Sequence, residues 1–270
     1  MLNALTFDVE DWFMVHSFDS AIRFEDWEKQ QPRLEQNVDK ILKLLDKHQV
    51  KATFFVLGWV AENYPGLVKE IYKRGHEIAT HGYRHKLVYT QTKKEFETDL
   101  RKSISALNKI TGKKILGHRA ASFSVTKKSL WAIDVLKRNK IKYDASVFPI
   151  HHPDYGIPYA PIAPYQLNGL TEFPASVVRI FGVNLPVSGG GYFRVLPYFV
   201  TKWAIRKINR EGRPAIIYLH PWEFDPGQPR IKVGFVQRFR HYFNLDKTEE
   251  RLDRLLTDFD FAPVKEVLKL

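Results

Sequence analysis

The 270-residue chain predicts an α/β fold in which parallel strands curl into a barrel, and two observations carry that prediction. Short runs rich in Thr, Val, Ile and Phe alternate with amphipathic stretches of helical period, the pattern of strands joined by crossover helices. Seven such runs occur, a number that suits a barrel: Ala4 to Glu10, Ala52 to Leu57, Glu77 to His81, Ile115 to Ala120, Tyr143 to Phe148, Thr171 to Ala175 and Ala215 to His220. Apolar spacing predicts helices over Gln36 to His48, Val60 to Lys73, Lys93 to Ile110, Lys127 to Asn139, Tyr198 to Glu211 and Thr248 to Phe259. Thr126 and Thr248 stand where a helix cap is expected.

Two stretches break the alternation. Pro149 to Pro164, dense in Pro, His and Tyr, reads as a loop standing over a site. Residues 221–246 read as an insertion between the last strand and the final helix. No low-complexity linker, internal repeat or shift in composition divides the chain, so one domain over residues 1–270 is expected.

Composition excludes several classes of function. With 44% hydrophobic and 14% aromatic residues the chain has the material for a packed core. It has no Cys, which rules out disulfide scaffolds, iron–sulfur clusters and cysteine nucleophiles, so a metal would have to be held by His, Asp or Glu. The most apolar stretch, Ala52 to Ala61, is half the roughly 20 residues of a spanning helix. The N-terminus lacks the basic and apolar regions of a signal peptide, and a cytoplasmic location is the expectation. Lys and Arg exceed Asp and Glu by 42 to 30, a net charge of +12 that favours an anionic partner. No helix-turn-helix or stacking module accompanies that charge, so nucleic acid is not the expected partner.

The chemistry-bearing residues gather at strand ends. Thr6-Phe7-Asp8-Val9-Glu10-Asp11 puts three carboxylates where the first strand gives way to a loop, and strand parity makes Asp8 and Glu10 the pair that share a face. The alternative is a set of solvated acids after a strand. His81 and His85 have a common metal-ligand spacing, and with an acid from another strand they suit a divalent ion that keeps open positions for water. Arg119, Asp144 and His220 also fall at carboxyl ends of strands, where barrel enzymes keep their catalytic groups. Taken singly, each has a plainer reading as a surface ion-pair partner, a cap or a satisfied buried histidine.

Five segments in order, Thr6 to Asp11, Ala52 to Gly58, Gly75 to His85, His118 to Ser124 and Tyr218 to Pro226, resemble the motifs of the polysaccharide deacetylases, carbohydrate esterase family 4. The tail, through Arg238 to Lys247 and Pro263 to Val267, is similar to a bacterial subfamily found with exopolysaccharide biosynthesis loci. The resemblance implies a distorted (β/α)7 barrel, related to the TIM barrel, and metal-dependent removal of an N-acetyl group from an amino sugar of a polysaccharide, oligosaccharide or lipid-linked saccharide. By position it implies Asp8 as general base, Arg119 as the residue holding that base, and His220 as general acid. Asp144 occupies the place of the acid that orients this His. His81 and His85 match the metal ligands; the family's usual second Asp is here Val9, which leaves the metal carboxylate to Glu10, with Asp11 as substitute. Zinc is the default ion, with cobalt, nickel or manganese able to occupy such a site. After Arg119 the family's Pro and aromatic residue are replaced by Ala121 and Ser122. Ser122 can still offer an N–H to an oxyanion, but a standard chitin-like substrate comes into doubt.

The remaining segments keep two readings each. Ser188 to Arg194 is either a plain turn or a backbone approach to sugar, with Tyr192 and Arg194, together with Trp222, as candidate substrate-binding residues. Arg230 to Leu245 places Phe235, Phe239 and Phe243 at helical spacing among Arg238, Arg240 and His241, as a lid helix packed on the barrel or as a seat on an anionic membrane. Three other functions stay open: a small-amide hydrolase of the allantoinase type on the same barrel, a glycoside hydrolase using Glu10 or Glu223, and an inactive glycan-binding module.

Overall fold

The computed structural model describes residues 1–270. In chain order the elements are β1 (Asn3–Val9), α1 (Leu34–Lys47), β2 (Thr53–Val56), α2 (Gly58–Asn63), α3 (Pro65–Lys73), β3 (Glu77–Thr80), α4 (Lys93–Thr111), β4 (Gly117–His118), α5 (Trp131–Arg138) and β5 (Tyr143–Asp144). There follow β6 (Tyr165–Leu167), β7 (Leu170–Glu172), β8 (Val177–Ile180), β9 (Val183–Pro186), α6 (Gly190–Val195), α7 (Tyr198–Arg210), β10 (Ile216–Leu219), α8 (Phe235–Tyr242), α9 (Thr248–Asp258), β11 (Phe261–Ala262) and α10 (Val264–Val267). No helix is long and apolar enough to cross a membrane.

The main sheet runs β10-β1-β2-β3-β4-β5-β7-β6, parallel throughout except for the β6–β7 hairpin, with β11 added beside β1. It curls into the distorted (β/α)7 barrel that the sequence predicts. Between β7 and β10 no strand completes the ladder. There Ser176 Oγ accepts the Ile216 N–H, the Ser188 carbonyl accepts the Tyr218 N–H, and Gly189 bridges to Tyr218. Strands buried on both faces alternate between two apolar layers. Leu5, Phe7, Val9, Phe54, Val56, Ile78, Ile217 and Leu219 join the large outer core under the helices, whereas Ala4, Phe55, Ala79, Tyr143, Ala145, Phe173 and Ile216 pack in the barrel interior. This alternation decides which strand-end residues face the central axis.

All seven expected strands form, most of them shorter than their apolar runs. The expected helix Val60 to Lys73 is two, because Pro65 has no N–H to continue α2 and instead opens α3. The expected helix from Lys127 starts only at Trp131, and Thr126 serves the preceding turn, its N–H donating to Ser129 Oγ. Thr248 lies inside the first turn of α9 with its hydroxyl unpartnered, so it caps nothing. A reciprocal cap forms at α4, where Thr92 and Glu95 bond each other's main-chain N–H. α6 falls in the stretch read as a turn or a backbone approach to sugar, and the β8–β9 hairpin lies where no element was expected.

Closing the barrel depends on the backbone of Gly189, at φ 151°. A Cβ there would stand 1.8 Å from the Tyr218 carbonyl oxygen, whereas one at Gly66 in α3 would meet nothing within 4 Å. Gly189→Ala is therefore expected to destabilise the fold by about 3 kcal/mol, and Gly66→Ala to be neutral or stabilising by up to about 1 kcal/mol, read by chemical denaturation of the two variants side by side.

Candidate active site at the carboxyl ends of the strands

Alternation along β1 turns Thr6, Asp8 and the following Glu10 toward the barrel axis, and all three are buried. His81 follows β3, and a turn through Gly82 at φ 76° and His85 at φ 55° brings the second imidazole back beside the first. Glu10 Oε1 lies 2.9 Å from His81 Nε2 and 3.0 Å from His85 Nε2, and one donor atom from each residue fits within 4.8 Å of the others. The tautomer of His81 bears on what this cluster can hold. Its Nδ1 is 2.8 Å from the Arg119 carbonyl, which can only accept, so Nδ1 carries the hydrogen. Nε2 then faces the carboxylate oxygen, as a donor when the ring is charged and as a lone pair open to a divalent cation when it is neutral. Two imidazoles and a carboxylate suit a divalent metal, and these residues fit one. Burial alone would raise the Glu10 carboxyl, but His85 and the hydrogen bonds from both imidazoles hold it well below the usual range. For His81, burial is outweighed by Asp8 and Glu10, which raise it.

Asp11 is committed elsewhere. It accepts the main-chain N–H groups of Trp12, Arg33 and Leu34, and so caps the start of α1; burial nevertheless pushes its carboxyl up to about 6.

Arg119 organises the rest. Its Nη1 donates to Asp8 Oδ1 at 2.7 Å and Thr6 Oγ1 at 2.8 Å, its Nε to the Ala145 carbonyl, and its guanidinium lies over the Phe55 ring. Asp8 Oδ2 is left 3.8 Å from His220 Nε2 and 4.0 Å from His81 Nε2. Ser122 is held at φ 49° and Phe123 at φ 53°, left-handed backbone that costs each residue roughly 1–2 kcal/mol. The hydrogen bonds of this turn run from Phe123 N to the Ala120 carbonyl and from Ser124 N to that of Ala121, leaving the Ser122 N–H unused. Asp8, Glu10, His85, Ser122, His220 and Trp222 line one cleft of about 250 Å³, with His152, Asp154 and Tyr155 of the Pro149–Pro164 loop on its wall.

Three expectations are corrected. Asp144 does not reach His220: its neighbours Tyr143 and Ala145 face the barrel interior, so parity turns Asp144 outward, where His118 Nδ1 and Ser146 Oγ donate to its Oδ1. Ser146 Oγ in turn accepts the Ala120 N–H, so Asp144 braces the turn that presents Ser122. Beside it, burial and the Asp144 charge hold Glu172 well above the carboxylate range. Arg194 is not a substrate contact. It is 1% exposed, and its guanidinium donates to Glu223 Oε2 and to the carbonyls of Arg240, His241 and Phe243. Tyr192 does not line the cleft; it packs at the edge of Phe148, 6.4 Å between rings.

Glu223 is the residue that the sequence reading passed over as an orienter of His220. Its Oε1 accepts both the main-chain N–H and Nδ1–H of His220, at 2.9 and 2.7 Å. The signal was present in His220-Pro-Trp-Glu223, since a Glu three residues after a helix-starting position folds back onto it. Burial alone would lower the His220 pKa, but the Glu223 hydrogen bond, with the charges of Glu10, Glu223 and Asp8, raises it to about 9. Trp222 stacks between His220 and His241, with centroids 5.2 and 4.1 Å away.

Residues 4–143, more than half of the chain, match the family model described as polysaccharide deacetylase, and residues 145–269 match a domain of unknown function (DUF3473). The peptidoglycan-N-acetylglucosamine deacetylase of Bacillus cereus is 41% identical over 27% of this chain and 26% of its own length. The peptidoglycan deacetylase of Helicobacter pylori is 31% identical over 45% of this chain and 39% of its own. The matched stretches thus span well under half of these relatives. A Mycobacterium smegmatis crystal structure, assigned as a polysaccharide deacetylase, superposes with TM-score 0.64 at 19% identity, covering 99% of this chain and 88% of that one, and shares the fold.

A divalent ion at 100 times its dissociation constant should stabilise the folded chain by about 2.7 kcal/mol, read as a rise in Tm. Glu10→Gln and His81→Ala should abolish that rise, whereas Asp11→Ala should lower the starting Tm and keep it.

Proposed function

The chain belongs to the polysaccharide deacetylase family, and on that premise we propose that it is a metal-dependent hydrolase removing an N-acetyl group from an amino sugar of a glycan or lipid-linked saccharide. The observation that carries this reading is the pairing of Asp8 Oδ2 with His220 Nε2, 3.8 Å apart across the cleft and beside the Glu10, His81 and His85 donors. A base and an acid facing one another next to a cation site are what amide hydrolysis requires, and a module that only binds sugar needs neither.

Glu10, His81 and His85 are the proposed metal ligands, and an ion bound there supplies Lewis acidity toward the acetamide carbonyl and the attacking water. Asp8, pinned through Oδ1 by Arg119, takes a proton on Oδ2 as the water oxygen bonds the carbonyl carbon. The carbonyl electron pair moves onto oxygen, where the Ser122 N–H donates to it; a well-placed donor of this kind contributes about 3 kcal/mol. His220 Nε2–H then protonates the amide nitrogen as the C–N bond breaks, releasing acetate and a free amine. Glu223 is a positioning residue, keeping Nδ1 protonated so that Nε2 is the nitrogen aimed into the cleft. Arg194 keeps Glu223 ionised in turn: burial would raise that carboxyl, but Arg194 and His220 hold it below its usual value.

The whole chain reads as one catalytic domain, because β10 and β11 from its second half pair with β1. The likeness of the tail to a subfamily found with exopolysaccharide loci supports a bacterial exopolysaccharide or its lipid-linked precursor as the substrate class. Zinc is the proposed ion.

Acetate release from N-acetylated oligosaccharides should require metal, vanish with a chelator and return on reconstitution; turnover of small ureides without any glycan would instead identify an allantoinase-type hydrolase. His220→Ala should lower kcat by roughly 10² to 10⁴. The protonated acid is present below its pKa and lost above it, so kcat/KM should fall on the alkaline side. Glu223→Gln removes a charge that favours the imidazolium, and should move that alkaline limb to lower pH while leaving KM nearly unchanged.

A further inference from the structure

The segment between Asp225 and Asp246 carries a surface that the proposed reaction does not use. Every residue from Gly234 to Arg240 is exposed, so the apolar residues of α8 stand in water, Phe235 at 82%, Val236 at 59% and Phe239 at 43%. The helix is therefore not a lid packed on the barrel. It is held only at its C-terminal end, where His241 is buried against Trp222 and Phe18, Tyr242 is half-buried, and Arg194 binds the carbonyls of Arg240, His241 and Phe243. An amphipathic helix ordinarily buries its apolar side, and this one has nothing of its own chain to bury it against.

Charge says what covers it. Arg230, Lys232, Arg238 and Arg240 are all exposed around these side chains, and no Asp or Glu occurs between Asp225 and Asp246. The same composition recurs on α7, where Phe199 and Trp203 are exposed among Lys202, Arg206, Lys207 and Arg210 along one groove. Val195, also exposed, directly follows the Arg194 that anchors α8. Protruding aromatics ringed by cations, on a chain of net charge +12, complement a soft apolar layer with an anionic surface.

We propose that the α8 face docks on an anionic phospholipid bilayer, with Arg230, Lys232 and Arg238 at the headgroup phosphates and Phe235, Val236 and Phe239 at the boundary with the acyl chains. This inference stands apart from the deacetylase reading; only its consequence rests on it. Arg240 also lines the cleft, so a docked α8 sets the cleft mouth at the headgroups, within reach of a saccharide attached to lipid.

The full chain would be sedimented with vesicles of phosphatidylcholine containing phosphatidylglycerol, and with phosphatidylcholine alone, at low and high salt. It should pellet with the anionic vesicles at low salt and be released as salt screens the attraction. Phe235→Ser combined with Phe239→Ser should weaken binding roughly tenfold or more, and Arg238→Glu, a change of two charges at about fivefold each, roughly 25-fold. Absence of binding to anionic vesicles, equal binding to both vesicle types, or unchanged binding by the variants would overturn the proposal. Acetate release from a soluble N-acetylated oligosaccharide, measured on the same variants, should match the unsubstituted chain. Its absence from all of them would count against the deacetylase reading while leaving the docking result to stand.

Discussion

Arg119 holds the candidate site by two different parts of the same residue. Its guanidinium pins Asp8 and Thr6, and its main-chain carbonyl takes the Nδ1–H of His81, which decides the nitrogen that His81 turns toward Glu10. It is 1% exposed, so its charge is tolerable only because Asp8 offsets it and the Phe55 ring lies against it. Removing one partner of such a buried pair costs about 3–5 kcal/mol, because the other charge is stranded. Asp8, the Glu10–His81–His85 cluster and the barrel interior are thus one electrostatic unit, and none of the three can shift without the others.

A second unit carries His220, the proposed acid. Arg194 sets Glu223, Glu223 sets His220, and Trp222 stacks between His220 and His241. The first unit lies across strands, joined by barrel closure. The second is built mostly within one short turn after β10 and is anchored to α6 and the end of α8. The two meet only in the cleft, at Asp8 and His220, whose facing atoms are 3.8 Å apart and open onto the same cavity. The anchor also ties the exposed α8 to His220, so surface and cleft share a connection through Arg194 and Glu223.

Much of this is legible in the sequence. Period-2 alternation put Asp8 and Glu10 on one face, and the spacing of His81 and His85 marked them as partners. What spacing could not decide was the side of the sheet for Asp144. In a strand buried on both faces, the alternation Tyr143-Asp144-Ala145-Ser146 tells that Asp144 and Ser146 share a side but not which side faces the axis, so a strand-end Asp pointing outward looks the same as one pointing in. Arg194 and Tyr192 were misread for a related reason: a Gly-rich stretch advertises its loop but not that the loop closes a gap beside β10 and buries the Arg that follows. What sets Asp11 apart from Glu10 is a contact 22 residues away, the Arg33 N–H that occupies it.

Local period and residue type suffice for the alternation of strand and helix, the absence of any cysteine chemistry, and the set of carboxylates and histidines from which a site could be drawn. Tertiary structure alone decided which of them meet. Barrel curvature brings the ends of β1, β3, β4 and β10 to one point, parity sends Asp144 away from it, and packing against Trp222 holds α8 at one end while leaving its apolar side bare. Such outcomes depend on distances between residues far apart in the chain, and no local pattern encodes them.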